Sequence, residues 1–236
     1  MSAPTSASVS SAAAEWTAWR TSRLASVTAP TGNLALVETR WSAPDEPEPV
    51  VELADGVTVT RLQRRNLTTG AVEHGIRHWD ANSPAIQHFE TIDVFPYNPD
   101  LVLKATLRSD GEPKRVPFEH LRDNGRTRDL AVPGDILLTR AGVDYTLNAF
   151  DDDGTLLLVF GDETNGVDTY AAGRFLFVER QPGADRVVLD FNRAFVPPCG
   201  FSAEYNCPMP PRQNRLAGRI EAGEKLPVFR GGFAPS

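Results

Sequence analysis

Long apolar runs, clustered basic residues and abundant cysteine are all missing from this chain, and each absence removes a class of function. No stretch approaches the roughly 18 apolar residues of a membrane-spanning helix, so no membrane partner is expected. Lysine and arginine are scattered through a chain of net charge −7, whereas a phosphate backbone is gripped by a clustered basic face. Nucleic acid is therefore not an expected partner. The opening "MSAPTSASVSSAAAEW" has neither the basic start nor the apolar middle of a secretory leader, and the cytoplasm is the expected compartment. No glycine-rich loop joins a strand to a helix as in dinucleotide-binding units, so neither flavin nor nicotinamide is indicated and the cofactor is unknown.

What is present is 236 residues of ordinary globular composition, 41% hydrophobic and 23% charged, enough for a core without covalent staples. Residues 1–12 are Ser, Ala, Thr and Pro with little to bury, and read as a disordered lead-in to one β-rich domain over 13–236. From Ala13 to Val27, Trp16, Trp19, Leu24 and Val27 recur at roughly helical spacing, which predicts an amphipathic helix docking on a sheet. The acidic, proline-rich "SAPDEPEPV" at 42–50 reads as a loop.

Beyond it the dominant period is two. "DLVLKATLRS" alternates Leu101, Leu103, Ala105 and Leu107 with polar neighbours, and "GDILLTRAGVDYTLNAFDDDGTLLLVFGDE" reads as three strands joined at "RAG" and "DDDG". "RFLFVERQPGADRVVLDFN" reads as a further hairpin turning at "QPGAD". Eight to ten short strands with tight turns predict a mainly β fold. The expected architecture is an antiparallel barrel-like or sandwich sheet with an N-terminal helix and an extended C-terminal wrap.

Chemistry-bearing residues concentrate in the C-terminal third. An arginine set directly before "FLFV" must be paired if it points inward, so Arg174 reads as one half of an ion pair, with a carboxylate such as Asp190 or with an anionic ligand. Tyr170 precedes it in a polar loop. Asp190 and Asn192 share a strand face. Cys199 and Cys207 are pinned by prolines, and three readings stay open: buried structural thiols, a disulfide, or part of a metal or nucleophilic site. Burial ranks first. No Cys-x-x-Cys accompanies them and no histidine follows His120, so no metal is assigned and a catalytic thiol is disfavoured. His74 and His78 fall on one face of a strand and read as exposed. Glu224 and Lys225 follow Gly223 as a candidate acid and cation.

Four segments stand in order along the chain: "WTAWRTSRLASVTAPTGNLAL", "RHWDANSPAIQHFETIDVFPYNPDLVLKA", "FGDETNGVDTYAAGRFLFV" and above all "VVLDFNRAFVPPCGFSAEYNCPMPPRQNRLAGRIEAGEK". In these the chain resembles the bacterial domain-of-unknown-function 1684 family. That last segment places Asp190, Asn192, Cys199, Cys207, Asn214, Glu224 and Lys225 where the family's pattern has them. Many members carry a longer β-rich insertion before the "RxWD" segment, which is short here. Three functions remain open from the sequence. The first is an enzyme on a small anionic metabolite, with Asp190 or Glu224 as general acid or base, Arg174 and Lys225 holding the anion, and Tyr170, Asn192 and Asn214 lining the site. The second is a non-catalytic ligand-binding or sensing barrel. The third is an assembly role, a homodimer packed through the proline-cysteine segment.

Overall fold

A computed structural model of the chain describes residues 6–42, 55–109, 111–180 and 183–235, with side chains from residue 11 onward. Helix α1 spans Ser6–Val27. It begins well before Ala13, so the expected lead-in of 1–12 is helical from Ser6. The serine-alanine run is poor in surface to bury, yet alanine is the best helix former and extends a helix nucleated by the tryptophan-bearing turns. Residues 1–5 and most of the expected 42–50 loop lie outside the described residues.

Thirteen strands are present among the described residues, more than the eight to ten expected: β1 Leu36–Trp41, β2 Val57–Arg65, β3 Val72–Asp80, β4 Phe89–Val94, β5 Val102–Arg108, β6 Lys114–Glu119, β7 Thr127–Val132, β8 Asp135–Arg140, β9 Val143–Asp152, β10 Thr155–Phe160, β11 Arg174–Val178, β12 Arg186–Asp190 and β13 Glu224–Phe229. A short helix, α2, covers Pro84–His88 and is capped by the Ser83 hydroxyl, which accepts from the Ile86 N–H. The fold is mainly β. Contacts divide the chain into two compact units, one of residues 1–20, 92–197 and 207–226, the other of 21–91, 198–206 and 227–236.

In the first unit six strands form one antiparallel sheet in the order β11-β10-β9-β8-β5-β12. Its two edge strands lie side by side, so the sheet nearly closes into a barrel. Alternation sends Leu107, Ile136, Leu138, Leu147, Leu156, Leu158, Leu176, Val187 and Leu189 inward, where they form the core with Phe160 and Phe191. The two predicted turns are two-residue hairpin loops with both residues at positive φ: Ala141 and Gly142 between β8 and β9, Asp153 and Gly154 between β9 and β10. The β6–β7 hairpin stands beside this sheet, with Phe118 edge-on to Phe150.

The predicted "RFLFV…RVVLD" hairpin does not form. β11 and β12 are consecutive, but no ladder joins them: β11 pairs with β10 and β12 with β5. The connection from Glu179 to Asp185 is longer than the two to five residues that usually fix hairpin register.

The second unit holds the three-stranded sheet β1-β3-β2. His74 and His78 lie on β3, as the strand reading expected. His74 faces Gln63 at 3.3 Å, while His78 is half-buried against Glu38. The ring of Trp41 occupies the space over Gly75, where a Cβ would meet it at 2.8 Å. Ser202 donates to the Leu36 carbonyl, and the Glu204 carboxylate accepts the Thr39 N–H on the outer edge of β1.

Candidate functional site: a buried lock and an open seam

Arg174 opens β11 and points into the barrel, wholly buried. Its partner is Asp162, at 2.8 Å, and not Asp190. The register explains the choice: Phe160 pairs with Arg174, so the residues just past the end of β10 lie beside the guanidinium. The same guanidinium donates to the carbonyls of Ile220 and Ala222. Asp162 in turn accepts the backbone N–H groups of Thr164 and Ile220. Burial alone would raise its pKa. The Arg174 charge and the Thr164 hydrogen bonds outweigh that and hold the carboxyl below its ordinary value.

Asn192 and Asn214 are fully buried and act as pieces of backbone. The β9–β10 ladder ends at the pair Leu158 and Ala149. Beyond it the Asn214 amide enters: its oxygen accepts the Asn148 N–H, and its nitrogen donates to the carbonyls of Asn148 and Val159. Asn192 does the same for Asn98, accepting its N–H at 2.7 Å and donating to its carbonyl at 2.9 Å. A second bond from the Asn192 amide reaches Asp190.

Glu224 is 2% exposed. One carboxylate oxygen accepts the Val196 N–H at 2.7 Å, and its own N–H donates to the Ala194 carbonyl. Gly223 before it has φ +78°, and a Cβ there would sit 2.5 Å from the Ala194 carbonyl oxygen. Only glycine fits both demands. Lys225 points outward to Asp93 at 3.1 Å and lies over the Phe95 ring. Tyr170 is half-buried, and its carbonyl accepts from Asn165. Thus Arg174 and Glu224 belong to one locked corner, while Asn192, Asn214 and Lys225 serve separate places.

Neither cysteine is in a disulfide. Cys207 is buried in the first unit, where its carbonyl accepts the Leu121 N–H. His120 is opposite Pro208 in the same antiparallel bridge. Directly opposed residues share a face and consecutive ones do not, so the imidazole and the Cys207 thiol lie on opposite faces. Cys199 is half-buried in the second unit. Among the described residues no three His, Cys, Asp or Glu side chains could hold a metal ion.

Asp190 lines a cavity. It caps the turn at 191–193 and pairs with Arg193 at 3.5 Å. It borders an open groove of about 500 Å³ along the β11–β12 seam, together with Val102, Phe177, Glu179, Arg186 and Val188. Phe175 exchanges both backbone bonds with Phe195 on the edge away from β10, so Phe177, two residues on, turns its N–H and C=O to the same side. The side chains of Phe177 and Val188 point outward and remain 49% and 48% exposed. Sequence reasoning missed this groove, and it placed Asp162 in a self-bonded polar loop without naming it as the partner of Arg174. The signal was present in "FLFV", whose Phe175 and Phe177 alternate with Leu176 and Val178, so that one apolar set had to face away from the core.

No helix among the described residues is long and apolar enough to cross a membrane. No curated protein matches the chain. A solved structure that is similar is the solution NMR structure of an uncharacterized protein of Haloarcula marismortui. It is 30% identical, the match covers 58% of this chain and 77% of that one, and the TM-score is 0.48. The profile of a family described as "protein of unknown function (DUF1684)" matches residues 87–225, which take in the barrel strands, the buried lock and the segment that carries both cysteines. With more than half of its length so matched, the chain belongs to the DUF1684 family.

Proposed function

We propose that the chain is a non-catalytic binding module whose recognition surface is the groove along the open β11–β12 seam. One observation carries the reading: Phe177 and Val188, each about half exposed at 49% and 48%, line a cavity of about 500 Å³ between two unladdered strands. Contiguous exposed apolar surface edged by polar side chains marks a binding surface, and the volume is that of ordinary ligand pockets. The polar residues from which the sequence suggested catalysis argue the other way. Glu224 is buried on a backbone N–H, and the two terminal nitrogens of Arg174 are taken up by Asp162 and carbonyl oxygens, with its Nε left unbonded in the interior. The presence of two cysteines outside any disulfide supports the cytoplasm as the compartment.

An enzymatic reading retains one supporting observation, the position of Asp190 on the groove beside Arg193. In that reading Asp190 is the general base for a small anionic substrate held by the arginine.

The probe for the module reading is 1-anilinonaphthalene-8-sulfonate, titrated into dilute folded protein. Wild type enhances its fluorescence, and Phe177→Ser together with Val188→Ser removes the enhancement while the circular dichroism and unfolding midpoint stay the same. Equal dye binding by both proteins, or none by wild type, overturns the groove as a recognition surface.

A further inference from the structure

We infer that the partner taken by this groove is a second copy of the same chain, related by a two-fold axis running along the seam. The inference rests on the groove being a recognition surface and names its occupant.

The argument starts from the order of side chains along the two edges. β11 ends at Val178 and β12 begins at Arg186, so Glu179 and Arg186 flank the same loop at one end of the seam. Two residues inward on the same outward faces are Phe177 and Val188. The β11 side therefore carries an acid and an aromatic ring, and the β12 side carries a base and an aliphatic side chain. Neither Glu179 nor Arg186 has an ion pair among the described residues. Farther along, Arg193 is shared between Asp190 at 3.5 Å and Glu15 at 3.9 Å.

A surface ordered in this way is complementary to itself. A two-fold axis along the seam lays β11 of one copy over β12 of the other, which sets Glu179 against the second copy's Arg186 and Phe177 against its Val188. Symmetry repeats both contacts, as an isologous interface requires. The result is an apolar centre with charged pairs at its rim, the usual anatomy of a protein interface. A ligand of one charge would leave either Glu179 or Arg186 facing a like charge. The second copy matches both.

Sedimentation velocity over a wide dilution series tests this. Wild type is expected to show a monomer–dimer equilibrium. Glu179→Arg places like charges together twice in each dimer and should weaken association at least about tenfold. Glu179→Arg combined with Arg186→Glu restores opposite charges at both contacts and should recover wild-type association, which distinguishes the pairing from general damage to the fold. Phe177→Asp should abolish the dimer. A wild type that stays monomeric at every concentration, or a dimer indifferent to Phe177→Asp and Glu179→Arg, overturns the inference. A monomer that still binds the naphthalene sulfonate through Phe177 overturns only the second copy as partner. One that binds no dye overturns the groove as well.

Discussion

The lock around Arg174 and the groove beside Phe177 are built on the same strand and obey opposite rules. At the start of β11 a charge points inward and is met by Asp162 and by carbonyls from the C-terminal segment, while its Nε has no hydrogen bond. Three residues later an aromatic ring points outward and lacks cover on about half of its surface, at 49% exposure. The buried polar residues Asn192, Asn214 and Arg174 hold irregular backbone in place, and the Phe177 ring on the same strand as Arg174 is left half uncovered.

Variants at the lock should change stability and leave groove binding alone, and variants at the groove should do the reverse. The largest effect is expected for Arg174→Met, which strands the buried Asp162 carboxylate and should cost about 3–5 kcal/mol in urea unfolding. Adding Asp162→Leu should recover part of that loss, because the pair is then removed together. Asn214→Leu leaves the backbone groups of Asn148 and Val159 unmatched and should cost about 3 kcal/mol by the same measurement.

The pH dependence follows from Asp162. Its folded pKa lies below the unfolded value, so its contribution is complete above the unfolded carboxylate pKa and is lost as pH falls through the folded one. Unfolding midpoints measured down an acid series should fall more steeply for wild type than for Asp162→Asn.

A smaller gain is expected at the β8–β9 turn. Ala141 sits at φ +49°, where asparagine is better tolerated, and Ala141→Asn should raise stability by about 0.5–1 kcal/mol. The smallest effect should come from Lys225→Met, within about 0.5 kcal/mol, since its pair with Asp93 faces solvent. If Lys225→Met or Phe177→Ser destabilises the fold as much as Arg174→Met, the separation between lock and groove fails.

Much of this architecture was legible in the sequence because strand burial writes a period of two, and because "RAG" and "DDDG" supply the small or flexible residues that hairpin loops demand. The concentration of unusual residues between Asp190 and Lys225 was legible too. Their roles were not, for a physical reason: an asparagine that hydrogen-bonds a substrate and one that completes a neighbouring ladder have the same side chain and the same flanking residues. Only the end of the β9–β10 register shows that Asn214 serves backbone. Arg174 announced a partner but not which one, because Asp162 is brought to it by the pairing of β10 with β11 and not by nearness in sequence. The missing β11–β12 hairpin was likewise invisible, since each strand's pattern is satisfied by whichever neighbour covers it.

The borrowed ladder at Asn214 also bears on the order in which the protein can be completed during synthesis. Residues 148 and 159 leave the ribosome long before residue 214, and Asn98 is waiting for an amide 94 positions further on. Until residues 192 to 214 are translated, backbone donors and acceptors at 98, 148 and 159 lack the amides that complete them, so the nascent chain is open to mispairing there until that stretch emerges.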